Sequence, residues 1–70
     1  MASYEETKVQ IRESRTRAGV YGALERAGID TGTYSLQQKR RMARNAMHHK
    51  EAEVLHCAIS RLEQIENNEL

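Results

Sequence analysis

Proline, phenylalanine and tryptophan are absent from this 70-residue chain, and cysteine occurs once. Tyr4, Tyr21 and Tyr34 are therefore the only aromatic bulk, and eight of the 27 apolar residues are alanines, each burying little area. At this length a single hydrophobic core is marginal. Burying a large aliphatic side chain stabilises by about 1.5–3 kcal/mol, whereas ordering each residue costs about 1.5 kcal/mol. So thin a core leaves little room for a ligand cavity of several hundred cubic ångströms. Cys57, being alone, cannot close an internal disulfide. No apolar run reaches membrane-spanning length and the N-terminus has no signal-like apolar segment, so the chain reads as soluble and cytoplasmic, with no membrane contact. Low hydropathy with 30% charged residues is also a mark of disorder, against which helical periodicity and capping signals stand.

Those signals lie along the whole chain. Ser3 with Glu6 fits a capping box, and Tyr4, Ile11, Ala18, Tyr21 and Leu24 recur on one side at helical spacing. Glu13 and Arg17 stand four apart as a favourable exposed pair. Gly28 followed by Ile29 signals a left-handed C-terminus with Ile29 folded back on Leu24. The spacing thus predicts a first helix over residues 4–27 and a loop over 28–34. Within that helix, small residues at Ala18/Gly22 and Gly19/Ala23 indicate either close approach by another helix or a local break. Ser35 with Gln38 repeats the capping box and opens a second helix at Leu36. One helix from there to Glu66 would be about 45 Å long. The charges favour a break near His48-His49-Lys50, which would place bases at one helix C-terminus and Glu51 and Glu53 at the next N-terminus.

Charge is the feature with most to say about function. Residues 35–50 hold five Lys/Arg side chains, two histidines and no acid, and residues 51–70 hold five acids and one arginine. The net charge of +1 conceals this segregation. Lys39, Arg40, Arg41, Arg44 and Lys50 are the candidate contacts for a partner or for nucleic acid. The competing reading is a solvated face neutralised by the acidic tail of the same or a neighbouring chain. Val54, Leu55, Ala58, Ile59, Leu62 and Ile65 form the strongest amphipathic face, and they are the candidate core or dimer seam.

Other motifs carry less. A helix-turn-helix laid over residues 23–37 puts Leu24 where a small residue belongs and Gln37 where an apolar one should pack. His49, Glu53, His56 and Cys57 are zinc-ligand types, but with one cysteine the spacing fits no established finger. Cys57 lacks the electropositive, open setting and aligned base of a catalytic thiol. There is no phosphate loop and no defensible catalytic constellation. The expected architecture is all-α: a helical hairpin or three-helix unit, a single small domain over residues 1–70, pairing into a dimeric bundle. The expected function is non-catalytic, with no cofactor and no metal: a protein-interaction module, such as a regulator, inhibitor or adaptor of the kind mobile elements encode. The alternative is a regulator that binds DNA or RNA through residues 39–50.

Overall fold

Side-chain oxygens start three of the helices in this chain. Ser3 Oγ accepts the Glu6 amide at 3.1 Å, Thr16 Oγ1 that of Gly19 at 3.0 Å, and Ser35 Oγ that of Gln38 at 3.2 Å. Each satisfies one of the amide groups that a helix N-terminus leaves without an internal partner. At Ser35 the box is closed, because Gln38 Oε1 accepts the Ser35 amide at 3.0 Å. The computed structural model describes residues 2–70 and consists of α1 (Tyr4–Glu13), α2 (Arg17–Arg26), α3 (Leu36–Asn45) and α4 (His49–Glu66), with no strand among the described residues. The molecule is all-helical, with extents of 33 × 23 × 19 Å. Four helices replace the hairpin or three-helix unit expected from periodicity.

The extra helix comes from a break at residues 14–16, where the sequence reading ran one helix from 4 to 27. Ser14 and Thr16 offer the backbone alternatives to continued helix. The Ser14 hydroxyl donates to the Gln10 carbonyl at 2.7 Å, while Thr16 caps the next helix. Gly19 permits the tight corner, since a Cβ there would sit 3.1 Å from Ser14 Oγ and 3.3 Å from Thr16 Oγ1. Gly22 meets only the end of Arg26, so the glycine pair marks a corner rather than a helix–helix contact. The break also separates Glu13 from Arg17, whose guanidinium instead lies 5.6 Å from the centre of the Tyr21 ring.

Helix ends follow one pattern three times. The Ile29 amide donates to the Leu24 carbonyl and the Gly28 amide to that of Glu25, with Gly28 at φ 80°. His48 to Ala43 and Met47 to Arg44 repeat this pair of bonds, as do Glu69 to Gln64 and Asn68 to Ile65. The left-handed residue is Met47 in the second case (φ 62°) and Asn68 in the third (φ 61°). The chain therefore does turn between α3 and α4, over Ala46, Met47 and His48, with Glu51 in the first turn of the new helix.

Helix α4 is the hub. It packs against α1, α2 and α3; α1 and α2 touch each other, and the close backbone packing of α3 is on α4. Val54, Leu55 and Ala58 are fully buried and Leu62 nearly so, with Ile59 and Ile65 half-covered at the edge. Ile11, Val20, Ala23, Leu24, Ile29 and Leu36 complete the core around them. Much of this stripe is covered within one chain, because the break at 14–16 and the turn at 46–48 bring three helices onto it. The buried Thr7 hydroxyl is satisfied by the Ser3 carbonyl at 2.8 Å. No helix is long and apolar enough to cross a membrane.

Candidate polyanion-binding trough

Helix α3 presents its arginines at i, i+1 and i+4, so Arg40, Arg41 and Arg44 emerge from one side of it. With Gln37, Asn45 and His49 they line an open groove of about 610 Å³. Arg40, Arg44 and His49 continue into a second groove of about 300 Å³, whose other wall is Ala52, Glu53 and His56 of α4. Glu53 and His56 then belong to a third, of about 410 Å³, which Lys8 and Arg12 of α1 and Arg61 of α4 complete. Neighbouring grooves share lining residues, so a trough-like run of grooves extends from α3 across α4 to α1. Six lysine and arginine side chains and one carboxylate, Glu53, line these three grooves, with Glu5 paired to Lys8 at their edge. Since the chain nets only +1, the acidic excess lies elsewhere on the surface.

Part of that excess lies around Glu63 and Glu66, which line a groove with Arg17, Tyr21, Ser35 and Gln37, the last shared with the first groove. Among the described residues the ion pairs are Lys8 with Glu5 (3.1 Å) and Glu53 (3.6 Å), and His48 with Glu51 (3.8 Å) when that histidine is protonated. None involves the α3 arginines, so the acidic tail of the same chain does not neutralise them. The hydrogen bond to the Glu5 carboxylate holds the Lys8 ammonium above the ordinary lysine range, with Glu53 adding in the same direction. Lys8 therefore stays charged where it faces the trough.

Of the five cations singled out in the sequence, the fold gathers three. Lys39 is turned away from the trough and approaches Asp30, whose carboxyl it helps hold low. Lys50 lies beyond the inter-helix turn, bordering a groove with Tyr4, Met47, Glu51 and His49, the last shared with the first two grooves. Partial burial, and secondarily the Glu51 charge, raise the Tyr4 phenol there. Three trough cations, Lys8, Arg12 and Arg61, had no sequence signal, because they come from segments far from residue 40 and are isolated among other residue types.

Chemistry beyond charge is sparse. His49, Glu53 and His56 share the middle groove, yet among the described residues no three metal-ligating side chains come close enough to hold an ion. The Cys57 thiol is half-buried, 3.9 Å from the Lys8 carbonyl. No aromatic side chain lines these three grooves; Tyr21 and Tyr4 line the ones that adjoin them at Gln37 and His49, and Tyr34 stands exposed in the loop before α3. No protein-family model matches the chain, and no curated protein or solved structure matches it either. The backbones of α2 and α3, which the helix-turn-helix template would have paired, do not pack closely on each other.

Proposed function

We propose that this chain is a non-catalytic regulatory protein that binds nucleic acid by its phosphate backbone, with the trough as the contact surface. The observation that carries this reading is the continuity of the cationic lining across three helices in a molecule that is nearly neutral overall. Arginine fits the role because its planar fork matches two phosphate oxygens at once. Cations that replace condensed counterions gain affinity from their release, without any need for an apolar anchor. A protein partner was the first expectation from charge segregation. Stable protein interfaces, however, centre on buried aromatic or aliphatic anchors, and the trough has none.

The test is retention of the protein by mixed-sequence DNA and RNA across a salt series. If Arg12, Arg40, Arg41 and Arg44, the trough cations without an ion-pair or hydrogen-bond partner in the chain, engage phosphates, log affinity falls against log salt with a slope of about −3 to −4. Arg44→Glu and Arg12→Glu should weaken binding to a similar degree, although the two residues are 32 positions apart in the chain. Lys39→Glu, outside the trough, should do much less. Retention by polyglutamate equal to that by nucleic acid, or a Lys39→Glu effect as large as that of Arg44→Glu, would count against this reading.

A further inference from the structure

We propose that the nucleic acid is double-stranded DNA and that α3 reads its bases from the major groove through Gln37, Arg41 and Asn45. This rests on the trough as a nucleic-acid surface and concerns what lies against its outer wall. Helix α3 buries only Leu36 and Ala43, and its close backbone packing is on α4. The rest of its circumference projects, so a partner can reach it from the side opposite α4.

Gln37, Arg41 and Asn45 stand at i, i+4 and i+8, one above another along that exposed wall. Successive members are about 6 Å apart along the axis, so the strip spans roughly three to four base pairs. These are the residue types whose planar ends pair bidentately with a base edge: glutamine and asparagine with adenine, arginine with guanine. Their ends are also uncommitted. Among the described residues, Gln10 accepts from Arg26, Gln38 closes the Ser35 box and Gln64 accepts from Arg61, whereas Gln37, Arg41 and Asn45 make no side-chain hydrogen bond. Three polar ends left unpaired in one line suit a partner that supplies their hydrogen bonds.

The form of nucleic acid follows from shape. A helix about 10–12 Å across enters the major groove of B-form DNA, about 12 Å wide, but not the deep, narrow major groove of A-form RNA. The trough beside α3 would then receive the phosphate strand bordering that groove, with Arg40 and Arg44 nearest and Arg12 farther along. Single-stranded chains are held by stacking bases on aromatic side chains. Tyr4 and Tyr21 lie in the adjoining grooves, not among the residues that line those of Arg12, Arg40 and Arg44.

Binding of a pool of DNA duplexes with a randomised centre, followed by sequencing of the retained fraction, tests this directly. The wild type should enrich a motif of three to four base pairs. It should also bind the duplex at least 10-fold more tightly than either separated strand or an RNA duplex. Gln37→Ala with Asn45→Ala should flatten the motif, by on the order of 10-fold per position read, while leaving the salt slope unchanged. Arg44→Ala should lower the slope and leave the motif intact. All three changed side chains are exposed, and unaltered circular dichroism of the variants would confirm their fold. Equal binding of single and double strands, binding without sequence preference, or a motif that survives the double substitution would each overturn the inference while leaving the trough a nucleic-acid surface. Failure to retain any nucleic acid at low salt would remove both readings.

Discussion

Arg61 Nε donates to the Ser14 carbonyl at 2.8 Å, joining the central helix to the corner between α1 and α2 across 47 positions of sequence. The Ser14 carbonyl lies just past the end of α1, where helical partners run out. A charged donor makes this bond stronger than a neutral one. Arg61 is held in turn by Gln64 Oε1 at 3.2 Å. Arg61→Ala should lower stability by about 1–2 kcal/mol, read as a lower urea midpoint at unchanged slope. An unchanged midpoint would mean that Thr16 and Gly19 hold the corner by themselves.

Met47 occupies a left-handed backbone position at φ 62° that favours glycine, and its side chain is 74% exposed. Met47→Gly removes a steric cost and sacrifices almost no packing, although it frees the unfolded chain somewhat. Thermal or urea unfolding should show a gain of about 0.5–1 kcal/mol. The same substitution at Met42, inside α3, should destabilise by a comparable amount, since helix-interior glycine costs about 1 kcal/mol.

Leu62 is 8% exposed and lies on the face of α4 that its own chain covers. Leu62→Glu places a carboxylate in the core and should abolish the helical circular dichroism signal at every protein concentration. A variant that keeps its helicity and only changes mass in light scattering would show that Leu62 belongs to an interface between copies.

Asp30 Oδ1 accepts the Gly32 amide at 2.9 Å and Oδ2 the Thr33 hydroxyl at 2.8 Å. These bonds, the backbone one first, hold its carboxyl below the usual carboxylate range. A carboxyl lowered in the folded state stabilises fully above the unfolded value, and that contribution disappears as pH falls through the folded one. Asp30→Asn should therefore melt below the wild type at neutral pH, and the two should converge under acid. A constant gap down to the lowest pH would show that the loop bonds do not depend on charge.

Helix starts and stops were legible wherever the signal fell within one turn. Ser3, the Ser35–Gln38 box and the Gly28–Ile29 end each complete their hydrogen bonds within five residues. The corner at 14–16 was not legible, because Thr16 caps onto Gly19 with no acidic or amide partner three residues on. The stop at Met47 was announced only by charge, since methionine carries no left-handed preference. The candidate site divides in the same way. Arg40, Arg41 and Arg44 share a helix and fall within about 100° of one another, while Lys39 stands roughly 140–160° around the axis from Arg44 and Arg41.

From sequence alone come the all-helical character, the turns that local hydrogen bonding enforces, and the separation of bases from acids. These depend on composition or on signals within one turn of the backbone, as at Ser35–Gln38 and Gly28–Ile29. Tertiary structure decided what covers the stripe of α4 and which cations meet across it. The hydrophobic effect has no direction: Leu55 and Leu62 need an apolar neighbour, but nothing in them specifies whether it comes from Ile11, Val20 and Leu36 of the same chain or from another copy. Once the corners at residues 14–16 and 46–48 let three helices reach α4, that neighbour was their own chain, and Lys8, Arg12 and Arg61 were brought to the same face as Arg40 and Arg44.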